Sequence, residues 1–166
     1  MNSFHPKEFF RSFTMQKKKS DQRPVEAIIL HVHGGGFIAM SSKSHQIYSR
    51  VLARDTKYAV FSVDYRLAPE NKYPDALEDL WNVYIWLIEF GKVNLNLDTS
   101  RIILMGDSAG GNLVTALTAL AIQSKVQIPE KLILIYPAFS LNKKEVYPSL
   151  FYSMTDPVLN TPFLKI

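Results

Sequence analysis

The chain has 166 residues, 47% hydrophobic and 20% charged, with a formal net charge of +4. That length makes about one domain, and that balance excludes a chain too polar to collapse. The absence of cysteine excludes a disulfide framework and a thiolate metal site, and no apolar run is long enough to span a membrane.

The N-terminus, MNSFHPKEFFRSFTMQKKK, has no apolar core followed by small residues. No secretory leader is expected, and the cytoplasm is the default compartment. Lys17-Lys18-Lys19 supplies part of the positive charge. It reads as a solvated tail, because no basic stripe interleaves with aromatics, and no nucleic-acid partner is expected. Residues 1–24 read as an irregular lead-in. Its Phe4, Phe9, Phe10 and Phe13 suit one amphipathic turn that covers the domain's own core, in preference to a lipid surface.

The segment AIILHV (27–32) is a short, β-branched apolar run, as expected for a strand buried on both faces of a parallel sheet. HGGGF follows at 33–37. SSKSHQIYSRVLARDT then reads as a helix capped by Ser42 or Ser44, with Ile47, Val51 and Leu52 on its apolar side. YAVFSV (58–63) is a second strand, and DYRLAPENKYP (64–74) is a loop with two prolines. ALEDLWNVYIWLIEF (76–90) is an amphipathic helix with a stripe of Leu77, Leu80, Val83, Tyr84 and Leu87, ended by Gly91. RIILM (101–105) is a third strand, GDSAGG turns into the helix NLVTALTALAIQ, and KLILIYP (131–137) is a fourth strand. The tail 138–166 shows no clear element. Strands alternating with helices specify an α/β fold, with a mostly parallel sheet and helices on both faces.

Two motifs carry chemistry. Gly106-Asp107-Ser108-Ala109-Gly110 has the form G-x-S-x-G between a strand and a helix, the context in which that motif presents a nucleophile on a sharp turn. The glycines let neighbouring backbone pass close by. The new helix aims N–H groups at the charge that forms during attack. The second motif is His33-Gly34-Gly35-Gly36-Phe37, after the first strand. Consecutive glycines offer bare N–H donors, as an oxyanion hole requires. A phosphate loop would need the G-x-x-x-x-G-K-[ST] spacing, which is absent. Both motifs end parallel strands, where such sheets bind ligands.

In order, HVHGGGF, VDYRLAPE, YPDALED and GDSAGGNL resemble the hormone-sensitive lipase family of α/β hydrolases over roughly residues 26–160. SSKSHQIY and SMTDPVLN resemble its lipase side more than its bacterial esterases. The resemblance implies Ser108 as nucleophile and an oxyanion hole of the Gly35, Gly36 and Ala109 N–H groups. It implies motif support from His33, Gly34, Gly106, Asp107 and Gly110, with His33 steadying the glycine loop. Arg66, Pro69 and Glu70 would belong to a scaffold loop beneath the site. The implied substrates are acyl esters or acylglycerols, with no cofactor and no metal, and association with a lipid surface such as a lipid droplet is compatible with it.

The triad of this fold runs serine, acid, histidine along the chain. Here His5, His31, His33 and His45 all precede Ser108, and the later acids are Glu130, Glu145 and Asp156. Asp156-Pro157 matches the look of the family's acid but follows the fourth strand too soon to serve. The expectation is a partial α/β-hydrolase fold with the later strands missing, residues 25–166 forming the N-terminal half of a catalytic domain. Without a base, the serine would be a weak nucleophile. The competing reading is a non-catalytic relative that binds lipid or protein.

Overall fold

A computed structural model describes residues 25–139. The lead-in, its phenylalanines and Lys17–Lys19, together with Glu145 and Asp156, lie outside the described residues.

The elements in chain order are β1 (Ile28–Val32), α1 (Gln46–Thr56), β2 (Ala59–Val63), α2 (Asp75–Leu95), β3 (Ile102–Asp107), α3 (Ala109–Gln123) and β4 (Lys131–Ile135). The four strands form one parallel sheet in the order β2-β1-β3-β4. Successive residues of β1 face opposite ways, and both ways are covered. Ile28, Leu30 and Val32 pack with Leu80, Tyr84 and Leu87 of α2 and with Leu113, Val114 and Leu117 of α3. Ala27, Ile29, Ile103 and Met105 form the second cluster, against Tyr48 and Leu52 of α1. This double burial explains why β1 and β3 read as largely apolar runs without alternation.

β1 leads through α1 to β2 on one side, and β3 leads through α3 to β4 on the other. The connections after the neighbouring strands β1 and β3 therefore run in opposite directions. Such a switch point opens a crevice at the carboxyl ends of the strands. Both chemical motifs begin there.

Three local expectations are corrected. Gly91 does not end α2; the helix runs on to Leu95 and closes at Asn96, whose φ of 54° is left-handed. Gly91 is buried, and a Cβ on it would stand 2.9 Å from the Thr99 methyl, so it serves close packing rather than termination. Neither Ser42 nor Ser44 caps α1. Its first turn follows His45, with no side-chain cap, and the serines fold the preceding turn, where the Ser41 N–H donates to Ser44 Oγ at 3.1 Å.

The third is the face that α1 turns inward. Ile47 is 83% exposed and Val51 42% exposed, whereas His45 and Ser49 are buried and Tyr48 and Leu52 face the sheet. The inward face is the i, i+3, i+4, i+7 set beginning at His45, and much of it is polar. Of the expected apolar set, Leu52 faces inward and Ile47 and Val51 do not, because His45 and Tyr48 are turned inward toward a carboxylate.

Candidate active site

The nucleophile-type motif is a tight connection. Ser108 has φ 49° and ψ −116°, a combination that an L-residue adopts only at a cost of roughly 1–3 kcal/mol when its surroundings hold it. They do hold it. The Ser108 N–H donates to the Ile135 carbonyl at 2.9 Å, and its carbonyl accepts from the N–H of Asn112 at 3.2 Å and of Ala138 at 3.1 Å. Asn112 Nδ2 donates to the Ala138 carbonyl at 2.8 Å, tying the start of α3 to the segment after β4.

The surrounding glycines answer to contacts rather than to turn chemistry. A Cβ on Gly106 would strike the Gly110 carbonyl. A Cβ on Gly110 would strike the Val32 carbonyl, with the His33 carbonyl at 2.7 Å. The first turn of α3 thus lies directly on the end of β1, where the glycine loop starts. The helix begins at Ala109, so the N–H groups of its first turn have no partner within the helix.

The glycine loop is pinned at both ends. Gly35 and Gly36 have φ 116° and 64°, in the left-handed region. The Gly35 carbonyl accepts from the N–H of Ile38 at 3.2 Å and of Ala39 at 3.0 Å. The Ala68 N–H donates to the Phe37 carbonyl at 2.9 Å, joining the loop to the 64–74 connection. That connection, with cis bonds before Pro69 and Pro74, is braced by Arg66. Arg66 Nε lies 2.9 Å from Asp79 Oδ1 on α2, with Asp75 and Glu78 close by. Arg66 and Glu70 are exposed, and Pro69 lies in the same connection.

Beneath the two motifs lies a buried polar cluster of which sequence reasoning named only part. Asp107, the last residue of β3, is 5% exposed. Its Oδ1 accepts from the Gly34 N–H at 3.2 Å and from the Tyr48 hydroxyl at 3.0 Å, and its Oδ2 accepts from His45 Nε2 at 3.3 Å. His31 Nε2 stands 3.8 Å from Oδ1 and reaches it through Tyr48, at 2.6 Å from the phenol oxygen. Ser62 Oγ lies 2.7 Å from His31 Nδ1.

Burial pushes the Asp107 carboxyl up, but the donors and the positive side of His31, His45 and Tyr48 outweigh it and hold it well below the usual carboxylate range. The Tyr48 phenol is pushed up by burial and by the Asp107 charge. His33 is 1% exposed. Its Nδ1–H donates to the Gly34 carbonyl at 2.7 Å, and burial lowers its pKa.

His31, His45, Tyr48 and Tyr65 were not singled out from sequence as site residues. The one available signal was the pair His45 and Tyr48 at helical spacing directly after the glycine loop. Among the described residues, no group of three or more His, Cys, Asp or Glu forms a metal site.

A family model described as alpha/beta hydrolase fold matches residues 29–163. Hormone-sensitive lipase of Mus musculus is 39% identical over 133 residues, which is 80% of this chain and 17% of that protein. An arylesterase of Saccharolobus solfataricus is 38% identical over 64% of this chain and 35% of its own length. The structure of a hyperthermophilic esterase from the archaeon Pyrobaculum calidifontis superposes with a TM-score of 0.80 at 32% identity, covering 87% of this chain and 47% of that one. The chain therefore spans about a sixth of the mammalian relative and about half of the solved one.

Proposed function

Because this chain belongs to the hormone-sensitive lipase family of α/β hydrolases, we propose that it carries the nucleophile and oxyanion hole of a carboxylic ester hydrolase. Ser108 Oγ attacks the acyl carbonyl of an ester, releasing the alcohol and leaving an acyl group on the serine. The carbonyl oxygen becomes an oxyanion, and the N–H groups of Gly35, Gly36 and Ala109 receive it. Water then releases the acid. His33, Gly34, Gly106, Asp107 and Gly110 hold this arrangement together. The single observation that carries the reading is the contact between the two motifs: the first turn of α3 lies on the Val32 and His33 carbonyls, which sets the Ser108 turn beside the glycine loop. Substrates are acyl esters or acylglycerols, presented from solution or from a lipid surface.

The base that takes the Ser108 proton lies outside these 166 residues in this proposal, as does the acid that orients it. In the order serine, acid, histidine, no histidine follows Ser108 here. Those before it support the same reading. Both ring nitrogens of His31 and of His45 are engaged by Ser62, Tyr48, Asp107, Ser41 and Ser44. His33 is buried in a stack with Tyr65.

The test is hydrolysis of a short p-nitrophenyl ester by this chain and by the chain carried through its downstream reading frame, each beside its Ser108→Ala variant. The extended chain is expected to turn over and to lose that activity in Ser108→Ala. The 166-residue chain is expected to fall by about 10⁶, the loss on removing a triad histidine. Full Ser108-dependent turnover by the short chain would move the base inside it. Ester hydrolysis untouched by Ser108→Ala would remove Ser108 as nucleophile. No hydrolysis by either chain would favour a binding module.

A further inference from the structure

We infer that Asp107 is a positioning residue that aligns the two halves of the oxyanion hole, with Tyr48 of α1 and His45 just before it holding its carboxylate in place. The inference rests on the reading of Ser108 given above and adds a role for helix α1, which contributes no group to the reaction.

A carboxylate is costly to bury and persists only where donors surround it. Asp107 takes its direct donors from two separate parts of the fold, the glycine loop and the start of α1, and His31 of β1 backs the Tyr48 hydroxyl. The direction of each bond follows from donor inventory. The Tyr48 hydroxyl has one proton, which it gives to Asp107 Oδ1. At its oxygen it must then accept from His31 Nε2–H, and with one proton on the ring His31 Nδ1 accepts from Ser62 Oγ–H. The bonds run one way, from Ser62 through His31 and Tyr48 to the carboxylate.

Two features tie this cluster to the site above it. Asp107 immediately precedes Ser108, so its backbone leads directly into the Ser108 turn and the first N–H of α3. Its side chain holds the Gly34 N–H at 3.2 Å, which fixes the peptide plane immediately before the Gly35 and Gly36 donors. A Cβ on Gly34 would overlap Asp107 Oδ2 and stand 3.0 Å from the Asp107 carbonyl, so nothing separates loop from carboxylate. One residue thus references the glycine-loop donors to the helix donor. Misplacing a reacting group by about 1 Å can cost about 100-fold in rate.

A second consequence is electrostatic. A bare anion one residue from Ser108 would oppose the developing oxyanion. Spreading its charge over Gly34, Tyr48 and His45 lowers that penalty, which accounts for donors on the inner face of α1 at the expense of apolar residues.

The experiment compares Tyr48→Phe, His45→Ala, His45→Gln and Asp107→Asn in the polypeptide carried through its reading frame, with Ser108→Ala alongside. It reads kcat and KM for a short p-nitrophenyl ester, inhibition by a trifluoromethyl ketone whose hemiketal oxyanion occupies the hole, and the thermal midpoint. Tyr48→Phe is expected to lower kcat about tenfold, the scale of one hydrogen bond to a charged group, with KM within about twofold. Asp107→Asn is expected to lower kcat about 100-fold and to weaken the ketone in parallel. His45→Gln, which keeps a donor, should recover part of the loss of His45→Ala.

Unchanged kcat in Tyr48→Phe and Asp107→Asn, with Ser108→Ala inactive, overturns this inference alone. So does a loss in which the thermal midpoint falls while the ratio of ketone to substrate affinity stays constant. Should Asp107→Asn fail to fold, Tyr48→Phe and the His45 pair carry the decision. Activity surviving in Ser108→Ala, or absent from every polypeptide, overturns the underlying reading and this inference with it.

Discussion

The phenol of Tyr65 lies flat on the imidazole of His33, ring centroids 4.3 Å apart and planes 14° from parallel, and its hydroxyl donates to the His33 carbonyl at 2.9 Å. One residue of the 64–74 connection thereby holds both the ring and the backbone of the residue that opens the glycine loop. Tyr65 is 4% exposed, and burial pushes its phenol pKa up, so the hydroxyl remains a donor at any working pH.

Tyr65→Phe keeps the stack and removes the hydrogen bond, leaving the His33 carbonyl without that donor. Urea denaturation is expected to show a loss of about 1 kcal/mol, within the usual range for one hydrogen bond. Tyr65→Ala also removes a buried ring and should cost about 3–5 kcal/mol. Equal losses in the two variants would mean the hydroxyl contributes nothing.

The lowered pKa of His33 predicts a pH dependence of stability. The folded chain favours the neutral ring, while the unfolded chain takes up a proton below about pH 6.5. The unfolded state then binds more protons, so stability rises with pH across this range. His33's share is complete above about pH 6.5 and is lost as pH falls from there toward the depressed folded value. Asp107 acts lower: its depressed pKa stabilises above about pH 3.9 and is lost only below that. Between pH 7 and 5, His33→Gln should therefore flatten the fall in urea midpoint seen with the parent chain. An unchanged slope would assign that fall to other groups.

Gly110 and Gly36 predict opposite tolerances. An alanine at Gly110 would drive its methyl into the Val32 and His33 carbonyls, and backbone cannot give way as a flexible side-chain tip can. Gly110→Ala should destabilise by about 3 kcal/mol or more, at the upper end for overpacking. A Cβ at Gly36 meets only the Ile38 side chain, at 3.9 Å, and carries the strain of φ 64°. Gly36→Ala should cost only about 1–2 kcal/mol, the ordinary penalty of the left-handed region. Circular dichroism melts of the two proteins rank them directly.

Ser108 predicts a gain in stability when its side chain is removed. Its φ of 49° with ψ −116° is tolerated by glycine far better than by any residue with a Cβ. Ser108→Gly should raise stability by about 1 kcal/mol, the lower end of stored backbone strain, and Ser108→Ala should not. A gain in both variants would place the strain in the hydroxyl rather than the backbone.

Much of this protein was legible in the order of its residues. Apolar runs at Ile28–Leu30 and Ile102–Met105 mark strands buried on both faces, because alternation disappears when neither face meets water. The α/β class follows from the strand and helix order. HGGGF and GDSAG stand out because backbone turns and close approaches select glycine, a local requirement that leaves a local mark.

What the linear pattern could not decide was which residues meet across distance. Asp107 and Gly34 are 73 positions apart, and Asp107 reads as the variable residue of its motif. At α1, hydrophobic spacing favoured Ile47, Val51 and Leu52, yet of these only Leu52 faces inward, beside His45, Tyr48 and Ser49. Polarity marks a residue as wanting partners without saying whether water or a buried carboxylate supplies them. Only packing α1 against β1 and β3 decides that, because burying Asp107 creates the demand for donors that the inner face of α1 meets.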